Sequence, residues 1–151
     1  MTTLIVYIDD AQHAQQLLAP LTASSGAPEA THWILIGCAP RVTHRVSKWV
    51  THSARENWRE RWASKAFSQL VPMLQTSGSE VTTQIAPNDR TLTDLSNALL
   101  AQHAPARVVD ARRPKFGQDM QPVTAGQKPE SHTLMGYATA LVSAGLLVAA
   151  D

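Results

Sequence analysis

The sequence contains a single cysteine, Cys38, among 151 residues. A lone cysteine excludes an internal disulfide framework and any zinc or iron–sulfur site built from several cysteines. Charged residues make up only 17% of the chain, and the formal net charge of +1 argues against a protein that coats nucleic acid non-specifically. Hydrophobic residues reach 44%, which predicts one folded domain of ordinary size and not a disordered segment.

The motifs of the common hydrolases, nucleotide-cleaving enzymes and metalloproteases are also missing. The chain has no Gly-x-Ser-x-Gly, no Gly-x-x-x-x-Gly-Lys and no His-Glu-x-x-His. Its six histidines are scattered, and Cys38 closes an apolar run, where a cysteine is more often a small buried side chain than a nucleophile. We therefore predict no catalytic residue, no metal site and no enzymatic activity.

The two ends of the chain bear on its location. No basic residue precedes the first apolar run, Leu4–Ile8, so we expect no signal peptide and a cytoplasmic protein. Residues 133–150 carry no charge and approach the length of a membrane span. Gly145 divides this segment, however, and we interpret residues 133–150 as a helix followed by a strand. A membrane-attached subunit held by residues 133–150 is the alternative.

Apolar runs alternate with helical periodicity along the sequence. We predict strands at Leu4–Ile8, His32–Cys38, Glu80–Ala86, Ala106–Asp110 and Leu146–Ala150. We predict helices after Asp9, within Val46–Leu74, after Thr91 and at Thr133–Ala144. Strands that alternate with helices indicate an α/β fold with a parallel sheet. The long second helix must bend, break or begin later than Val46, and Pro72 is expected to kink or end it.

This order of elements resembles the universal stress protein family over nearly the whole chain. The resemblance rests on the first strand ending in Ile8-Asp9-Asp10, on the alternating strand Val81–Ala86 with Asn88-Asp89 after it, and on Arg107–Ala111. It implies one domain, 1–151, with a single open parallel five-stranded sheet of order 3-2-1-4-5 and helices on both faces. Residues 111–130 would then form a long loop, and residues 131–151 a closing helix and edge strand. The resemblance also implies a homodimer through that terminal strand.

The glycine loop with which such proteins bind nucleotides is incomplete in this sequence. The family pattern has two glycines two residues apart, a third after nine more residues, and then Ser or Thr. Here Gly117 and Gly126 are separated by eight residues, Gln127 follows them, and the first glycine has no counterpart. The resemblance therefore implies the fold more strongly than it implies a nucleotide.

A ligand site is nevertheless expected where strands one and four would adjoin, because open α/β sheets bind ligands outside the carboxyl ends of their strands. The candidate cofactor-binding residues are Asp9, Asp10, Arg112, Arg113, Lys115 and Gly117. In one interpretation the three basic side chains replace the glycine loop and hold the phosphate of ATP or AMP. In the other, Asp9 only caps the first helix and the basic side chains form a solvated loop.

The segment Arg41–Lys65 has seven basic residues against two acidic ones, a net charge of +5, and the rest of the chain is then −4. Three of the four tryptophans lie here: Trp49, Trp58 and Trp62. Basic residues interleaved with aromatic ones can bind nucleic acid. The helical spacing of Trp58 and Trp62 favours core packing instead, so we expect this segment to bind a protein partner rather than a nucleic acid.

Altogether the sequence predicts a dimeric stress-response or regulatory binding module, with a nucleotide or small-anion sensor as the alternative.

Overall fold

Four strands alternate with three helices in the computed structural model, which describes residues 2–24, 31–40, 50–75, 79–114 and 120–127. The strands are β1 (Thr2–Ile8), β2 (Thr31–Gly37), β3 (Glu80–Ile85) and β4 (Ala106–Asp110). The helices are α1 (Ala11–Ser24), α2 (His52–Leu74) and α3 (Leu92–Gln102). Every one of these elements was expected from hydrophobic periodicity.

The strands form one parallel sheet in the order β3-β2-β1-β4. This confirms the α/β class, the parallel pairing and the first four positions of the expected order. The central strand β1 pairs with both neighbours, so that Ile5 lies opposite Ile34 of β2 and Val108 of β4. The predicted fifth strand, the helix before it and the dimer contact that they would make all lie outside the described residues.

Both faces of the sheet are covered, because β1 is apolar on both sides. Ile5 and Tyr7 belong to a core with α3, whereas Val6 and Ile8 belong to a second core with α1 and α2. Alternate side chains of a strand point to opposite faces, so a continuous apolar run is what a central strand between two helical layers requires. Among the described residues, no helix is long and apolar enough to cross a membrane.

The observed helix ends agree with the predicted ones except at two places. Thr91 caps α3 as expected, its hydroxyl accepting a hydrogen bond from the Asp94 amide at 3.1 Å. The cap of α1 is Asp10 and not Asp9, because Oδ1 of Asp10 accepts from the first free amides of that helix. The helix α2 begins after Thr51 and continues through Pro72 to Leu74, so Pro72 does not end it.

Candidate functional site at the carboxyl ends of β1 and β4

The carboxyl ends of β1 and β4 lie side by side, and they gather the candidate residues Asp9, Asp10, Arg112 and Arg113. The pairing of the two strands continues one step beyond β4, where the Ala111 amide donates to the Tyr7 carbonyl at 2.9 Å. The strand order reverses between these strands, since β2 and β3 extend the sheet on one side of β1 and β4 extends it on the other. Such a switch point is where an open α/β sheet leaves a crevice. The other two candidates, Lys115 and Gly117, lie outside the described residues.

A bidentate ion pair joins Asp110 to Arg112 at this edge. Nε and Nη2 of Arg112 donate to the two carboxylate oxygens of Asp110 at 2.8 and 3.0 Å. The Arg112 side chain is only 6% exposed and that of Asp110 16%. Burial alone would lower the pKa of Arg112, but the hydrogen bonds and charge of Asp110 outweigh it and raise the pKa above its usual value. Arg112 is therefore a fixed, paired cation.

Gln127 ties a distant loop to the same carboxylate. Its amide nitrogen donates to Oδ2 of Asp110, and its Oε1 accepts from the Val123 amide at 2.8 Å. Val123 is buried in the core beneath α3. With these two hydrogen bonds, the Gln127 side chain closes the loop onto the end of β4.

The two aspartates after β1 bind Arg113 and the start of α1. Oδ1 of Asp9 accepts from the Arg113 amide at 2.6 Å, and Oδ2 of Asp10 lies 3.4 Å from Nη1 of Arg113. Hydrogen bonds from the amides of His13 and Gln12, together with Arg113, lower the pKa of Asp10. The Arg113 side chain is 68% exposed, so its long contact with Asp10 contributes little to stability.

Cys38 and Tyr7 lie close to this network. The Cys38 amide donates to the Ile8 carbonyl at 2.7 Å, which places the thiol at the carboxyl end of β2. Burial raises the pKa of the Cys38 thiol to about 12, and the charges of Asp9 and Asp110 add to the effect. Burial likewise raises the pKa of Tyr7 to about 12. Both groups are therefore neutral at physiological pH and unsuited to act as nucleophile or base.

Native Cys38 is expected to react with iodoacetamide at least 100-fold more slowly at pH 8 than it does in the urea-unfolded chain, because only the thiolate reacts and its pKa is raised. Mass spectrometry of the labelled protein measures both rates. The same shift makes stability fall as the pH rises from about 9 towards about 12, a range in which the thiol of the unfolded chain ionises and that of the folded chain does not. Equal rates in the two states would contradict a neutral, partly buried thiol.

Side chains of α2 pack at the carboxyl ends of β2 and β3. Trp62 and Phe67 pack so closely over Gly37 that a Cβ built there would lie 3.2 and 3.1 Å from their rings. Nη2 of Arg59 donates to the Ala86 carbonyl at 2.7 Å, so this arginine anchors the helix as well as pairing with a neighbouring glutamate. Trp58 is 38% exposed, and the expectation that it packs in the core is wrong.

Sequence reasoning missed the partners that close this edge. The interpretation of the basic side chains as a solvated loop is wrong for Arg112, whose side chain is 6% exposed and paired with Asp110, and the link from Asp110 to Gln127 has no local signal in the sequence. The side chains present can hold a loop, a cap and a helix end in place, and among the described residues no three His, Cys, Asp or Glu side chains are arranged to bind a metal ion.

Comparison of the chain with protein-family models, with curated proteins and with solved structures finds no match.

Proposed function

We propose that this chain is a universal stress protein-like regulatory binding module that does not hydrolyse ATP. The observation that carries the proposal is the internal pairing at the carboxyl edge, where the Asp110 carboxylate binds both Arg112 and Gln127. In this proposal the module acts as a dimer with a fifth strand, it works in the cytoplasm as part of a stress response or of another regulatory process, and its crevice is filled by its own side chains.

The charge at the crevice also argues against a phosphate ligand. Among the described residues there, three carboxylates (Asp9, Asp10 and Asp110) face two guanidinium groups. A phosphate would have to break the Asp110–Arg112 pair or compete with Asp10 for the amides of α1. The balance of charge therefore favours a closed module over a nucleotide or small-anion sensor.

Isothermal titration of the full-length protein with ATP, AMP and inorganic phosphate is expected to give no binding heat up to millimolar ligand. The acidic edge and the paired arginine leave no open cationic group at the described part of the site except Arg113. A nucleotide-binding universal stress protein titrated in parallel serves as the positive control. Micromolar binding that the variant Arg113→Gln weakens tenfold or more would overturn the proposal and establish the sensor.

The surface through which such a module would meet a partner protein is the amino-terminal half of α2. Trp58, Arg61 and Lys65 follow one another at helical spacing, and all three are exposed. An exposed tryptophan beside two cations is typical of the aromatic and arginine anchors of protein interfaces. The charge predicts an acidic partner surface. Arg41, Arg45, Lys48 and Trp49, which complete the basic segment in the sequence, lie outside the described residues.

A further inference from the structure

Two histidines meet at the amino-terminal edge of the sheet, at the opposite ends of the strands from the site above. His32 lies near the start of β2, and His103 is the C-cap residue of α3. Their ring centroids are 5.5 Å apart and their planes are inclined by 72°. The two side chains come from elements 71 residues apart in the sequence, so the fold alone brings them together.

This separation suits two imidazoles that share one metal ion. A Zn–N bond of about 2.0–2.1 Å places each ring centroid ~3.2 Å from the ion, and a tetrahedral angle between the bonds then gives ~5.2 Å between centroids. The observed 5.5 Å lies close to that value. A stacked arrangement would bring the rings nearly parallel, whereas inclined rings can each direct a nitrogen towards a common point.

A third side chain orients one of these rings. Nε2 of His32 lies 2.8 Å from Oγ1 of Thr82 on β3, which leaves Nδ1 as the nitrogen able to ligate. Metal-binding histidines commonly use their second nitrogen in this way, because the hydrogen bond fixes the tautomer and the ring orientation. Glu80 pairs with His32 in the strand register and therefore adds a carboxylate on the same face, where it favours a cation.

We propose that His32 and His103 bind a divalent transition-metal ion of the class that prefers imidazole, such as Zn²⁺ or Cu²⁺. Water would fill the other coordination positions, since the described residues provide these two ligands only. The ion would link the carboxyl end of α3 to β2, two elements that are separate along the chain. Because it binds the folded chain, it would stabilise the protein against unfolding.

Titration of the metal-free full-length protein with ZnCl₂, followed by calorimetry and by thermal unfolding, tests this proposal. Wild-type protein is expected to bind one Zn²⁺ at this site and to unfold at a higher temperature when it is loaded. The variants His32→Gln and His103→Gln are each expected to bind at least tenfold more weakly and to lose that rise. Thr82→Val should weaken binding about tenfold by releasing the His32 ring.

The control is His52→Gln, which removes an exposed histidine from the start of α2 and should leave affinity within about threefold of wild type. Electron paramagnetic resonance of bound Cu²⁺ gives an independent readout, with two coupled imidazole nitrogens in the wild type and one in either single variant. Absence of binding, or wild-type affinity in both His32→Gln and His103→Gln, would overturn the proposal.

Discussion

Replacing Arg112 with alanine is expected to lower the free energy of unfolding by about 3 kcal/mol, because the change leaves the Asp110 carboxylate without its bidentate partner in a largely buried position. The Asp110 charge remains poorly solvated, and the remaining hydrogen bonds, from Gln127 and from the backbone amide of residue 112, do not compensate for the lost guanidinium. Urea denaturation followed by circular dichroism measures the effect at neutral pH.

The matched control is Arg113→Ala, one residue further along the chain. Its side chain is 68% exposed and lies 3.4 Å from Asp10, so its removal should change stability by less than about 0.5 kcal/mol. Arg112→Lys should fall between the two, because lysine keeps the charge but loses the paired geometry. Equal losses in Arg112→Ala and Arg113→Ala would mean that the buried pair does not hold this edge together.

Leu70→Ala is also expected to destabilise the fold by about 3 kcal/mol. Leu70 is fully buried on α2, in the core that this helix shares with α1 and with Val6 and Leu35 of the sheet. Shortening the side chain removes apolar burial and leaves a cavity that the close-packed layer cannot fill. The same denaturation experiment gives the change in free energy from the shift of the urea midpoint.

Gln69→Ala provides the control at the neighbouring position. The Gln69 side chain is exposed, and the Gln15 amide contacts only its backbone carbonyl, at 3.0 Å, so truncation should stay within about 0.5 kcal/mol. A small effect of Leu70→Ala, comparable to that of Gln69→Ala, would show that α2 is not packed on the sheet as described.

The elements could be predicted because each one repeats a local pattern. The run Leu4–Ile8 is apolar on both faces, which only a central strand between two helical layers needs, and Thr91 with Asp94 marks the start of α3. The cap of α1 was assigned one residue early, because Asp9 and Asp10 are chemically equivalent as caps. In the structure Asp10 accepts from the amides of α1, whereas Asp9 accepts from the amide of Arg113, 104 residues away, which no local pattern reveals.

For the site, the sequence predicts which residues lie close together but not how they pair or how deeply they are buried. Asp110 and Arg112 are two residues apart, so their proximity follows from the sequence, whereas their burial depends on the loop that carries Gln127. Trp58 precedes the first buried residue of α2, Ala63, so it lies on the part of the helix that the core does not cover. Helical periodicity predicts which face of the helix a side chain lies on. It does not predict how far along the helix the rest of the protein covers that face.

The strand order has a consequence for how the molecule is assembled. On emergence from the ribosome, β1 precedes the other three described strands, and β2 and β3 can join it in turn on one side. Its other side stays open until β4 arrives, since Thr3 pairs with Ala106. Pairing strands so far apart along the chain must overcome loop-closure entropy before the contacts form, and this slows folding. Until then the nascent chain presents its most apolar strand as an unpaired edge, the form most exposed to chaperones and to aggregation.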